Sequence, residues 1–331
     1  MNTKDLLQYL FERGTLNETE AEHALTQLAK GTFNQSQATA FITVFMMRNI
    51  TPKELLGFRN AMLALCNSIE LSEYETIDLC GTGGDGKNTF NISTTAAFVV
   101  ATSGLNVAKH GNFGVSSVCG SSNLMEHLGV RFTNEQDELK KALDRSGICF
   151  LHAPLFHPAM KKMAPIRQEL GMKTFFNMLG PLVNPARPKN QLTGVFHASL
   201  FRTYQYLLQQ GNTNYGVLFS SDGFDEISLT SSFRISTSQF DYVLEPEDIG
   251  FKKYKTIDLS GGNSIAENAA IFLAILKGKG TQAQHQVVAA NAGAALFVAS
   301  KAESLVAGCQ IALSIIESGA AFQTFQNHLK N

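Results

Sequence analysis

Asp78-Leu79-Cys80-Gly81-Thr82-Gly83-Gly84-Asp85-Gly86-Lys87-Asn88-Thr89-Phe90-Asn91-Ile92-Ser93-Thr94 is the stretch on which the fold turns. Its four glycines separate a short strand-like run, Thr76 to Cys80, from a helix-like run that starts at Ser93, reaches about Thr102 and is closed by Gly104. Glycine lets the backbone approach a ligand closely, and free N–H groups in such a loop can point at anionic oxygens. The amino terminus of the following helix adds a favourable dipole. Thr89, Ser93 and Thr94 contribute hydroxyl donors. We read the loop as fitting neither the G-x-G-x-x-G nor the G-x-x-x-x-G-K-[ST] pattern, which disfavours ordinary dinucleotide and nucleoside triphosphate sites.

The alternation repeats outward from this loop. Leu105 to Lys109 reads as a strand, followed by a second glycine- and hydroxyl-rich loop from Lys109 to Asn123, helices over about Ser122 to Leu128 and Glu135 to Arg145, and a strand over Ile148 to His152. Strand, loop and helix in succession imply a mostly parallel sheet. Both loops leave the carboxyl ends of strands, the edge where open parallel sheets bind ligands, so they predict one crevice with Lys109 as a fixed positive charge. Further on, apolar runs at Leu192 to Phe196 and Tyr215 to Phe219 flank a helical Leu200 to Gln209, and long helices from about Asn268 and Gln284 finish the chain.

Towards the amino terminus the pattern is helical. Asn17 with Glu20, and Thr51-Pro52 with Glu54, have capping-box spacing, and Leu55, Phe58, Met62 and Leu63 recur at helical intervals. His157 to Leu170 and Thr174 to Leu179 also read as helical. The expected fold class is therefore α/β, with a small all-helical domain beside a larger one built on a central, mostly parallel mixed sheet flanked by helices. The helical domain is expected over residues 1–72, joined in space by about 158–188, and the α/β domain over 73–157 and 189–331.

Bulk properties exclude several classes. A chain of 331 residues with 44% hydrophobic and 17% charged residues is an ordered globular protein with room for a large core. A net charge of −1 argues against nucleic acid as a partner, and Lys161, Lys162, Lys252, Lys253 and Lys255 form only small local clusters. Cys66, Cys80, Cys119, Cys149 and Cys309 lack C-x-x-C spacing and read as reduced core thiols. Charged residues interrupt the amino terminus early, and apolar runs such as Ala289 to Ala299 are broken by Asn291 and Gly293. A cytoplasmic protein with no membrane span is expected.

The GTGGD of residues 81–85, the N-I-S-T of 91–94 and the K-H-G-N of 109–112 occur in order. They are followed by His157-Pro158-Ala159-Met160, Arg167 to Gly171, Phe176-Asn177 to Asn184-Pro185 and Asp225-Glu226-Ile227-Ser228. This series, spanning nearly the whole chain, resembles the anthranilate phosphoribosyltransferase family. The resemblance implies transfer of the phosphoribosyl group of phosphoribosyl diphosphate to the amine of anthranilate, with release of diphosphate, in tryptophan biosynthesis. It implies that phosphoribosyl diphosphate meets Gly81, Gly84, Asp85, Thr89, Asn91, Ile92, Ser93, Thr94, Lys109, His110, Gly111, Asn112, Phe113, Gly114, Val115, Ser116, Ser117 and Ser121. Gly81, Asn112 and Arg167 are implied to hold anthranilate, and Ser93, Asp225 and Glu226 two Mg2+ ions per subunit of a homodimer joined through the helical domain. No general acid or base is nominated, because an aromatic amine is already neutral at pH 7. The chain departs from the commonest family form at Phe113-Gly114, where Arg and a small residue are frequent, at Val118-Cys119 (Lys-Ser), at Asn123 (Asp) and at Lys173 (Arg).

Two other readings stay open from sequence. A pyrimidine nucleoside phosphorylase would keep the two-domain architecture but have no use for the metal pair implied at Asp225-Glu226. A non-catalytic relative that binds nucleic acid would need a basic groove. His110, His152 and His157 show no metal-ligand spacing, and only His110 falls within a substrate loop.

Overall fold

The computed structural model describes residues 2–114 and 118–330, with the backbone alone at Lys161; Val115, Ser116 and Ser117 of the second loop lie outside the described residues. The chain forms two compact units, one of residues 1–68 and 153–185, the other of 69–152 and 186–331.

The first unit opens with helices α1 (Thr3–Phe11), α2 (Glu18–Lys30), α3 (Gln35–Met47) and α4 (Pro52–Leu65). The capping boxes at Asn17/Glu20 and Thr51/Glu54 both form, and Asn34/Gln37 makes a third. Phe41, Phe45, Phe58 and Phe175 meet mostly edge to face at its centre, with centroids 4.6–6.3 Å apart. The helical run expected over 157–170 is broken into a 3-10 turn, Pro158–Lys162, and a short α-helix; Pro158 and Pro165, which donate no N–H, each stand at the start of a new segment. In order, this part of the chain holds α8 (Ala153–Phe156), α9 (Ala164–Leu170) and 3-10 turns at Phe175–Met178 and Gly180–Leu182. The unit begins at Ala153 because Asn67 bonds Phe156 O through its backbone N–H (2.8 Å) and Leu155 O through its amide (3.0 Å).

The second unit carries a seven-stranded sheet. Its strands are β1 (Thr76–Gly81), β2 (Asn106–Gly111), β3 (Ile148–His152), β4 (Asn190–Gly194), β5 (Asn214–Ser220), β6 (Phe233–Ser236) and β7 (Asp241–Leu244). They lie in the order β3-β2-β1-β4-β5-β6-β7; the first five are parallel and the last two antiparallel. β4 begins and ends two residues before the apolar run that suggested it, because Asn190 and Gln191 pair with Ile77 and Asp78 and so set its register. The β6–β7 hairpin is absent from the sequence reading: each strand is only four residues long, too short for a period-2 signal.

Around the sheet lie α5 (Ile92–Thr102), α6 (Ser121–His127), α7 (Gln136–Ser146), α10 (Ala198–Leu208), α11 (Ile265–Leu276), α12 (Gln282–Val298), α13 (Leu305–Ser318) and α14 (Ala320–Leu329). α5 and α12 are apolar on nearly all sides because they are buried on nearly all sides. α12 and α13 cross at Gly293 and Gly308, where a Cβ on either would overlap the other helix's backbone. No single described helix is long and apolar enough to cross a membrane.

Burial also sets an acid limit on stability. His328 in the second unit bonds Ser146 Oγ at 3.1 Å, and His157 in the first donates Nε2–H to Val183 O at 3.0 Å; burial lowers both imidazoles to about 4. The unfolded chain therefore binds more protons than the native one between about pH 6.5 and 4, so stability falls as pH falls through that window. Each histidine should take about 2 kcal/mol from its unit on going from pH 7 to pH 5. Urea midpoints at the two pH values check this, and His328→Gln should flatten the slope of the transition that reports the second unit.

Candidate active site

The sheet order reverses between β1 and β4, and a parallel sheet opens its ligand crevice at the carboxyl ends of the strands on either side of such a reversal. Two glycines face each other there, Gly81 ending β1 and Gly194 ending β4. Both must lack a side chain, because a Cβ on Gly81 would overlap the Asp225 carboxylate and one on Gly194 its backbone oxygen. The loop between β5 and β6 is thereby seated directly on the crevice.

The first loop wraps these acids. Gly83, Gly84 and Gly86 all have positive φ (66°, 78° and 74°), which turns the chain so that Gly83 N–H bonds Asp225 Oδ2 at 2.6 Å. At the start of α5, Ser93 N–H bonds Glu226 Oε1 at 2.9 Å. A helix amino terminus thus faces an acid, the favourable sign for its dipole. Asp85 lies close enough to Asp225 for the two carboxyls to hydrogen-bond, and also takes Lys87 N–H at 2.9 Å.

Lys109, in the second half of β2, is fully buried, and its ammonium donates to Leu79 O. Its other charged neighbours are Asp78 and Glu226, and burial pulls its pKa down. Burial, reinforced by the charge of Asp85, pushes the Asp225 carboxyl up to about 7. Burial and the charge of Asp225 drive Glu226 well above the usual carboxylate range. Two adjacent carboxyls whose charge is penalised by burial, with a single lysine nearby, suit a divalent cation. Among the described residues, no group of three or more His, Cys, Asp or Glu side chains is arranged to hold a metal. A carboxylate pair of this kind matches Mg2+, which takes one or two carboxylates and draws its other ligands from water and substrate phosphates.

The second loop is laced to itself at its base. A Cβ on Gly111 would meet Ser121 Oγ, and Asn112 O accepts from Ser122 N–H (3.1 Å) and Ser121 Oγ (3.4 Å). The two loops are joined by Asn91, whose amide donates to Cys119 O at 3.1 Å. Gly81, Gly84, Asp85, Thr89, Asn91, Ser93, Lys109, His110, Gly111, Asn112, Phe113, Gly114, Ser121, Asp225 and Glu226 therefore all lie on two mutually bonded loops, the strand ends beneath them and the acid segment. Ile92 and Thr94 sit among them but are fully buried, and the Thr94 hydroxyl finds no partner among the described residues. Val115, Ser116 and Ser117 are outside the described residues. Arg167 belongs to α9 of the first unit, half-buried, with its guanidinium carbon 5.3 Å from the Phe176 ring centroid and no carboxylate partner among the described residues.

Residues 73–322 match the model of a glycosyl transferase family, a/b domain, and residues 4–66 that of its helical bundle domain. The chain is 53% identical to the anthranilate phosphoribosyltransferase of Flavobacterium psychrophilum, over 98% of each chain, and 50% identical to that of Cytophaga hutchinsonii, over 99% and 100%. The chain belongs to the anthranilate phosphoribosyltransferase family. The crystal structure of the Thermus thermophilus anthranilate phosphoribosyltransferase superposes with a TM-score of 0.92 at 33% identity over 99% and 98% of the chains. The Saccharomyces cerevisiae enzyme, solved in complex with PRPP and Mg, shares the fold with a TM-score of 0.90 at 24% identity over 99% and 96%.

Two of the departures from the commonest family form, Phe113 and Asn123, have local explanations. Phe113 packs edge-on against His152, centroids 4.8 Å apart, and His152 stacks on Phe132 at 4.6 Å and bonds Ser122 Oγ at 2.8 Å. An aromatic anchor thus stands where the family often has a charge. Asn123 accepts Gly114 N–H (2.8 Å) and Gly120 N–H (3.1 Å) through one oxygen, so it keeps a carboxylate's acceptor role without the charge. Val118 and Lys173 are exposed, and nothing in the structure explains either.

Spacing alone misjudged one point and missed several supporting residues. Gly81, Gly83 and Gly86 do have G-x-G-x-x-G spacing; what separates this loop from a dinucleotide turn is that the helix begins only at Ile92 rather than at the glycines. The second half of the loop pairs with a segment that carried no signal: Phe90 N–H bonds Leu259 O, Gly261 N–H bonds Asn88 O, and Thr89 bridges Ser260. Asn268 of α11 accepts both the backbone (3.2 Å) and amide (3.1 Å) N–H of Asn91. Lys87 holds its ammonium 4.7 Å from the centroid of Phe224, the residue before the acid pair. A Gly-Gly pair at 261–262 was the one signal available for the supporting segment.

Proposed function

We propose that this protein transfers the phosphoribosyl group of phosphoribosyl diphosphate to the amine of anthranilate, with the diphosphate held at the carboxyl ends of β1, β2 and β4. The observation that carries the reading is the seating of Asp225 and Glu226 on the backbone N–H groups of Gly83 and Ser93, over the paired glycines of β1 and β4. Its support is the membership of the chain in a family whose named members carry out this reaction.

Asp225, Glu226 and Ser93 are the residues that would hold two Mg2+ ions. Bound there, the metal would neutralise negative charge on diphosphate as the C–O bond to the ribose breaks. The chain's own contribution is positioning and polarity. The glycine turns bring the backbone close to the crevice, the start of α5 supplies its dipole, and Lys109 gives the buried end of the crevice a positive charge. The second loop, with His110 to Gly114 and Ser121, is read as the wall that covers the sugar and phosphate, and Asn112 as reaching anthranilate. Neutral anthranilate amine needs no base, and none is assigned.

Arg167 is read as the residue that grips the anthranilate carboxylate through two parallel hydrogen bonds; a half-buried guanidinium with no carboxylate partner among the described residues is suited to that. Arg167→Ala should raise the KM for anthranilate about 10–100-fold and leave that for phosphoribosyl diphosphate unchanged. The deciding assay is phosphoribosyl anthranilate formation followed by the loss of anthranilate fluorescence, with and without magnesium. No turnover in either condition, or phosphate-dependent release of base from uridine, would overturn the proposal. We also infer a cytoplasmic homodimer: the five cysteines are free, and Phe11 (61% exposed) and Met47 (83%) leave apolar surface on the helical unit.

A further inference from the structure

Asn291 stands in the middle of α12, among Val287, Val288, Ala289, Ala290, Ala292, Gly293 and Ala294, and is 4% exposed. A buried amide in an apolar helix is costly unless bonded, so its partners explain its presence. Its Oδ1 accepts Ile227 N–H at 3.0 Å, and its Nδ2 donates to Ile227 O at 2.9 Å and to Val287 O at 2.8 Å. The side chain thus offers Ile227 the pair of bonds that a neighbouring strand would offer, at a point where the chain between β5 and β6 has left the ladder. Ile227 follows Glu226 directly. On the other side of the same short segment, Ser220 Oγ donates to Glu226 O at 2.6 Å.

The consequence concerns the acids. Asp225 and Glu226 are adjacent carboxyls on a segment without ladder bonds, so nothing in the sheet itself keeps the two side chains in one arrangement. We propose that Asn291 is a positioning residue for the metal-binding acids: by clamping both polar groups of the Ile227 backbone, it holds Asp225 and Glu226 in the one arrangement that two cations and a diphosphate can share. The proposal rests on the reading of these acids as magnesium ligands. Partners one shell beyond the ligands act in this way in metal sites generally, and their removal typically weakens metal affinity about 10–100-fold.

The test uses the full chain with phosphoribosyl diphosphate present and Mn2+ as the probe, its binding followed by electron paramagnetic resonance. Asn291→Ser should weaken Mn2+ binding about 10–100-fold and lower kcat with it, leaving the KM for anthranilate unchanged. Ile316→Ala, a truncation in the core of α13 that touches neither acid, controls for loss of stability and should bind Mn2+ as the wild type does. Asn291→Thr serves if the serine variant does not fold. Wild-type Mn2+ binding in either Asn291 variant, or equal weakening in Ile316→Ala, overturns the inference. So does failure of both Asn291 variants to fold while Ile316→Ala folds, since the amide would then hold the fold rather than the acids. If the wild-type protein itself binds no Mn2+, or Glu226→Gln binds it unchanged, the metal reading has failed, and this inference falls with it.

Discussion

Glu226→Gln should lower kcat about a thousandfold, equivalent to roughly 4 kcal/mol of barrier, while leaving the protein folded. The amide keeps the oxygen that accepts Ser93 N–H and nearly the same volume, so the start of α5 loses no bond. What disappears is the charge. In the protein without metal that charge is a liability, since burial and Asp225 push the Glu226 carboxyl well above its usual range. The glutamine variant should therefore match or exceed the wild type in thermal stability without magnesium and gain less from magnesium with phosphoribosyl diphosphate. Asp225→Asn should behave alike. Turnover of either variant within about threefold of the wild type, where a lost transition-state charge should be worth several kcal/mol, would remove the acids from the mechanism.

The second large effect is expected from one methyl group. Gly194→Ala places a Cβ on the backbone oxygen of Asp225, a contact with backbone that no rotamer can relieve, so the acid segment must lift from the end of β4. Overpacking of this kind costs about 1–3 kcal/mol of stability, within what a folded domain tolerates. Activity should fall much further, about a hundredfold or more, because misplacement of about 1 Å at a reacting centre has that effect. Gly211→Ala, whose added Cβ would meet nothing closer than 3.7 Å, should change neither stability nor kcat. A Gly194→Ala enzyme with normal kcat would show that the acid segment need not sit on the switch point.

Chemical denaturation separates these outcomes. Glu226→Gln should lose turnover at full stability, and Gly194→Ala should lose both. The pair distinguishes a charge needed for chemistry from a seat needed for that charge.

Much of this was legible in the chain because its signals are local. The glycines of 81–86 announce a loop that only positive φ allows, and three carry it. Asn17 with Glu20 and Thr51 with Glu54 announce helix starts because a capping box closes within three residues. The strand–loop–helix alternation of residues 76–152 carried the parallel sheet for the same reason: each element is specified by its own periodicity and terminators. The β6–β7 hairpin escaped because four-residue strands contain too few side chains to show a period. Pro165 divided what looked like one helix, a boundary that a proline permits but does not impose.

The sequence by itself determined the two loops, the helix caps, the apolar faces and, through its ordered motifs, the family. Only the tertiary structure decided that Asp225 meets Gly83 across 142 positions, that Glu226 meets Ser93 across 133, and that Asn291 clamps Ile227 across 64. The physical reason is range. Caps, turns and periodicity act within a few residues of chain, whereas the contacts that place an acid on a helix start depend on which strands neighbour each other, and that order is settled by the packing of the whole sheet.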